Sequence, residues 1–177
     1  MPHFEPLEIA NVTYDLAHLE PFMFNVTTNK VNRELIVHVR FTNHCFTKEH
    51  DALTHPVGSP ILKDGGGRDR SFCSIRHGLS LQLPGLVRGF SNPAIKVNQT
   101  RERRNWVYTR TVATPAGPYH VFFEIRRAAV AGQDLNLVVE SAYHQDPARG
   151  APNILGNMKF VTLCGKTYLG EPVSTRR

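Results

Sequence analysis

Apolar and polar residues alternate most cleanly over Leu35–Phe41, where Leu35, Val37, Val39 and Phe41 take turns with Ile36, His38 and Arg40. That period of two is the signature of a strand with one face buried. The segment 22–28 has the same character, and Asn29-Lys30-Val31-Asn32 between them predicts a β-hairpin with a strand at 35–42. Three more strands are predicted downstream. The first is 106–112. The second, 119–126, puts Tyr119, Val121, Phe123 and Ile125 on one face and His120, Phe122, Glu124 and Arg126 on the other. The third, 135–143, groups Leu135, Leu137, Val139, Ser141 and Tyr143 against Asn136, Val138, Glu140, Ala142 and His144. Their short connections, 113–118 with Pro115-Ala116-Gly117-Pro118 and 127–134, predict an antiparallel meander.

One helix is written in the same pattern. Leu83, Leu86, Val87 and Phe90 fall at i, i+3, i+4 and i+7, Pro84 suits a first turn, and Asn92-Pro93 stops the run. With two glycines, this helix needs packing on a sheet to persist. The remaining segments are weaker: an extended arm over 1–21, a long loop from Thr42 to the Gly65-Gly66-Gly67 run, a short strand turning into a loop over 72–81, and a last edge strand at 159–164. The expected fold class is α+β, a mainly antiparallel sheet with one short packed helix and an N-terminal β-hairpin unit. The 177 residues are read as a single domain, a β-rich part over about 1–66 followed by helix plus meander over about 70–170.

Composition adds a direction. The chain is 41% hydrophobic and 20% charged, as globular domains are. Its 21 Lys+Arg exceed its 15 Asp+Glu by six, which favours acidic partners, nucleic acid first among them. No apolar run reaches the ~20 residues of a membrane span. Acids and prolines stand in the first thirty residues where a signal peptide would be apolar. Three widely spaced cysteines, Cys45, Cys73 and Cys164, argue for a reducing compartment. A cytoplasmic protein that uses no membrane is therefore expected.

Candidate chemistry lies in three groups. His44, Cys45, Cys73 and His77 are the nitrogen and sulfur donors that tetrahedral zinc would use, although His44 and Cys45 are adjacent and would diverge on a strand. Cys45 or Cys73 beside a histidine is also the minimal equipment of a cysteine nucleophile. Arg101, Arg103 and Arg104 precede Trp106 and Tyr108, and Arg126 ends the next strand. Such a cluster supplies charge for phosphates and faces for bases. Finally, RNA cleavage without metal asks for a base, an acid and cations around phosphorus. Arg76 and His77 before the helix, with Ser141, Tyr143 and His144 at the end of the most apolar strand, could line one cleft. The glycine run lacks a following Gly-Lys-Ser/Thr, so no nucleotide-phosphate loop and no cofactor is expected.

The order of these elements, Arg76-His77, the helix with Asn92-Pro93, strand 119–125 and Val138-Val139-Glu140-Ser141-Ala142-Tyr143, resembles the C-terminal part of the small ribonuclease fold of barnase, EndoU, the RNA-cleaving colicins and the RelE toxins. It covers roughly 70 residues, and the N-terminal third lies outside it. The resemblance implies a metal-independent ribonuclease of the toxin type that cleaves by 2′-hydroxyl transesterification. His77 would be acid or base, Arg76 or the 101–104 cluster would hold the phosphate, and Ser141 and Tyr143 would position it. It also adds an antitoxin or immunity protein to the partners. Two other readings stand beside it: a non-catalytic nucleic-acid-binding or regulatory module, and a His/Cys metal protein centred on His44, Cys45, Cys73 and His77.

Overall fold

In the computed structural model, residues 2–55, 58–101, 105–146 and 150–175 are described. The chain runs β1 (Leu7–Ile9), β2 (Val12–Tyr14), β3 (Phe22–Val26), β4 (Leu35–Phe41), β5 (Thr47–Glu49), β6 (Ile61–Lys63), β7 (Asp69–Phe72), α1 (Ser74–Ser80), α2 (Leu83–Arg88), β8 (Lys96–Thr100), β9 (Trp106–Val112), β10 (Gly117–Arg127), β11 (Leu135–His144), β12 (Ile154–Lys159) and α3 (Phe160–Leu169). The main sheet has the order β12-β8-β9-β10-β11-β4-β3. The hairpin β3–β4, the meander β9–β10–β11 and the helix with Pro84 in its first turn fall where the periodicities place them.

The α+β class stands, with two corrections. The sheet is mixed, because β4 joins the meander through a parallel pairing with β11, Leu135 opposite Val37 through Val139 opposite Phe41. Among the described residues three α-helices form rather than one. The segment 159–164, read as an edge strand, begins α3. Phe160, Val161, Leu163 and Cys164 make a helical stripe, and the helix runs on to Gly170, whose left-handed conformation (φ 71°) lets its N–H reach back to the last turn. The edge strand is β12, just upstream.

Two further segments hold more structure than their sequence announces. The arm over 1–21 contains the hairpin β1–β2, turned by Ala10 and Asn11 at positive φ. The long loop and the segment 72–81 contribute β5, β6 and β7, a second sheet of order β5-β7-β6, followed by α1. The glycine run is the β6–β7 turn, closed by Asp64, whose N–H donates to the Arg68 carbonyl at 3.0 Å and whose Oδ1 accepts from Gly66 and Arg68 N–H.

Leu35, Val37, Val39, Tyr119, Val121, Phe123, Leu135, Leu137 and Val139 form the inner face of the main sheet, essentially without solvent exposure. On it lie Leu79 of α1, Leu83 and Val87 of α2, Phe90 in the turn after α2, and Phe160 of α3. Phe160 touches Phe24, Phe90 and Phe123 with ring centroids 5.0 to 6.4 Å apart. Each such fully buried large side chain contributes about 1.5–3 kcal/mol from area removed from water. With the helices gathered on this face, the other carries Ile36, His38, Phe122, Val138 and Tyr143, all half-buried, Arg40 and Thr109, both exposed, and Val107 and His120, both buried. Among the described residues no helix is long and apolar enough to cross a membrane.

Candidate nucleic-acid interface

The site is set by a break in the pleat of β11. Phe123 pairs with Val139 but Phe122 pairs with Ser141, so Glu140 is an extra residue and the strand is bulged there. Beyond the bulge the faces exchange. Ala142 turns into the core, whereas Ser141 and Tyr143 move to the outer face beside Phe122 and His120. The predicted grouping of Ser141 and Tyr143 with Leu135, Leu137 and Val139 therefore fails at Glu140. The Tyr143 and Phe122 rings lie nearly parallel (17°) with centroids 5.2 Å apart.

Beyond Val139, β4 no longer covers the edge of β11. Thr42 closes the pairing by donating its N–H to the Val139 carbonyl and its Oγ1 to the Glu140 carbonyl. The turn at residues 43–45 and α1 then occupy the vacated edge. This places the Arg76 guanidinium 5.2 Å from the Tyr143 ring centroid, a cation–π contact. Arg76 also donates to the carbonyls of His44 (3.2 Å) and Thr47 (2.7 Å). Arg70, 9% exposed, donates to that same Thr47 carbonyl at 3.1 Å and to Thr47 Oγ1 at 3.2 Å. Two guanidiniums thus converge on one neutral oxygen. Burial first, then the neighbouring Arg76, lower the Arg70 pKa, while the Asp64 and Glu49 carboxylates act in the opposite direction. Of these two carboxylates, Glu49 stands opposite Arg70 in the β5–β7 pairing, and Asp64 is bound by Arg68 at 2.8 Å and His44 at 3.1 Å. Burial pushes its pKa up, but backbone N–H groups of Arg68 and Gly66 and those two side chains hold it well below the carboxylate range.

The other predicted site residues are scattered. His77 leaves the Arg76 side of α1 and donates Nε2–H to the Asp15 carbonyl at 3.1 Å, among the rings of Tyr14, Phe72 and His18. His144 donates to the Ala116 carbonyl at 2.9 Å, against the β9–β10 turn. Arg76 and Tyr143 are therefore brought together, and His77 is not brought to them. Trp106, 3% exposed, is in the core, and Tyr108 packs edge-on to Phe90 at 5.1 Å on the inner face. Arg101 is exposed beyond β8, and Arg126 is exposed and paired with Glu124 at 2.6 Å. Arg103 and Arg104 lie outside the described residues.

The four donors proposed for zinc also part company. Cys45 is buried with Sγ directed at the Val139 carbonyl, and burial pushes its thiol up to about 12, too high for a nucleophile or an unassisted ligand. His44 is held by Asp64, His77 by Asp15, and Cys73 opens α1. Among the described residues no three of His, Cys, Asp and Glu are grouped to hold a metal ion. Two surface cavities of about 380 and 550 Å³ lie by β12 and the C-terminal residues 172–175, the smaller reached by Arg101 and the larger by Gln99, both away from Arg76 and Tyr143.

Sequence reasoning did not single out Arg70, Phe122 or His120. Arg70 stands in what reads as a glycine-rich loop. Phe122 was legible as outward-facing, and the slip that brings Tyr143 to it has a trace in the sequence, the two successive polar residues Glu140 and Ser141 after the apolar pair Val138 and Val139.

The chain belongs to the YjaZ family, whose model matches residues 6–168. That assignment overturns the resemblance to the barnase, EndoU, colicin and RelE ribonucleases, since it takes in the N-terminal third that the resemblance left unexplained. Comparison with curated proteins and with solved structures gave no match.

Proposed function

We propose that this protein is a non-catalytic module that binds single-stranded nucleic acid, RNA in particular, on the outer face of its main sheet. The observation that carries the reading is the run Arg76–Tyr143–Phe122, in which Arg76 of α1 meets, at the β11 edge, two stacked rings of the outer face. Unpaired bases stack on aromatic rings presented by a sheet, and guanidiniums beside them take the phosphates. Arg76, beside the Tyr143 ring, supplies that second element. His120, between Thr109 Oγ1 (2.8 Å) and Gln145 Oε1 (3.0 Å), has both ring nitrogens engaged and serves as scaffold beneath Tyr143. Single-stranded substrates are favoured over duplex because a paired base hides the faces that Phe122 and Tyr143 would meet.

The test is fluorescence anisotropy with a labelled single-stranded RNA, for the wild type and for Phe122→Leu and Tyr143→Leu. Each leucine variant is expected to lose about 1–3 kcal/mol of binding, roughly 5- to 150-fold, while the single buried tryptophan, Trp106, reports an unchanged fold. Affinity should fall with salt at about 0.7 log unit per phosphate contacted. Affinity unchanged in both variants would remove the stacking surface from the reading. Fragmentation of the RNA in EDTA, abolished by His77→Ala, would replace it with a ribonuclease.

A further inference from the structure

The turn that follows β5 carries a second concentration of imidazoles, independent of the aromatic face. His50 and His55 approach each other with ring centroids 4.7 Å apart. Both direct Nδ1 at one atom, the Ser71 hydroxyl oxygen of β7, each at 3.0 Å. The proton positions follow from one further contact. His55 Nε2 lies 2.8 Å from the Ser59 carbonyl, so it carries the proton and donates it there. In the neutral ring His55 Nδ1 is then a bare lone pair, accepting from the Ser71 hydroxyl, and His50 Nδ1–H donates to the same oxygen.

Three properties of this arrangement are those of a metal site. An imidazole whose remote N–H is tied to a backbone carbonyl, with its other nitrogen turned inward, has the second contact that orients metal-ligating histidines. Each nitrogen stands 3.0 Å from the shared oxygen, close to the ~3.0–3.4 Å between neighbouring ligands that each stand about 2.1 Å from one ion. Both histidines are half-buried, near enough to the surface for an ion to enter, and the Asp51 and Asp69 carboxylates lie close enough to His50 to interact with its charge. The Ser59 hydroxyl beside them is buried and without a hydrogen-bond partner.

We infer that His50, His55 and Ser71 form a binding site for a borderline transition-metal dication, Zn²⁺ foremost. His55 Nδ1 offers its lone pair directly, His50 Nδ1 does so once its proton has moved to Nε2, and Ser71 Oγ is the third donor. Water completes the sphere. The ion would fasten the turn at residues 50–55 to β7.

Isothermal titration of the full chain with zinc chloride near pH 7 tests this. One equivalent should bind with micromolar affinity, His50→Gln and His55→Gln should each weaken it at least tenfold, and His38→Gln on the main sheet should leave it unchanged. Imidazole nitrogen shifts of the wild-type protein give a reading that needs no variant: zinc should move Nδ1 of His50 and His55 first. Absence of a saturable one-to-one heat, wild-type affinity in both glutamine variants, or first shifts on other histidines would each overturn the site.

Discussion

His18, His44 and His120 share a physical situation: burial, more than any neighbour, lowers the pKa of each imidazole below its ordinary value of 6.5. The unfolded chain then takes up protons near pH 6.5 that the folded chain refuses, so the stability these residues preserve is complete above that pH and declines as pH falls below it. The urea midpoint should drop measurably between pH 7.5 and 5.5, and a flat profile would contradict the buried, neutral imidazoles. A second decline should follow below about pH 4, as Asp51, Asp64, Asp69 and Asp134, all held below the ordinary 3.8, are protonated. Individual side chains were also where sequence reading was most exposed to error. The face of Tyr143 depends on one extra residue at Glu140, and alternation carries no term for a bulge.

At the level of elements, the strands with one buried face were legible because their partners sit beside them in sequence. β8, β12 and the small sheet β5-β7-β6 were not, being short and, for β12 and β5, paired with strands well removed in sequence. Helix α3 shows the ambiguity of a brief apolar run, which periodicity alone assigns to either structure. Its position is fixed by close approach: a Cβ at Gly165 would stand 2.7 Å from Thr28 Oγ1 and 2.9 Å from Lys30 Cβ. Lys30 in turn pairs with Glu171 at 2.8 Å, just past the helix. Gly165→Ala is therefore expected to cost about 1–3 kcal/mol despite the higher helix propensity of alanine, read as a lower urea midpoint. Unchanged stability would mean that the β3–β4 turn yields.

The whole molecule hangs on the parallel pairing of β4 with β11. The hairpin β3–β4 meets the rest of the sheet there, and the inner face to which Leu35, Val37 and Val39 belong is covered by α1, α2 and α3, all beyond residue 66. The segment 1–66 produced alone should lack a cooperative thermal transition, and adding the segment 67–177 should restore one. A cooperative melt of 1–66 by itself would show that the hairpin has another way to cover its face. Sequence patterning could not announce this pairing, because nothing in either strand names its partner.

The same pairing sets a schedule for synthesis. β4 leaves the ribosome roughly a hundred residues before β11 has been made, an interval of about 5–20 s at about 5–20 residues per second. For that time an apolar strand edge and face are complete but uncovered, so nascent chains stalled between residues 42 and 134 are the species to which a holdase chaperone should attach.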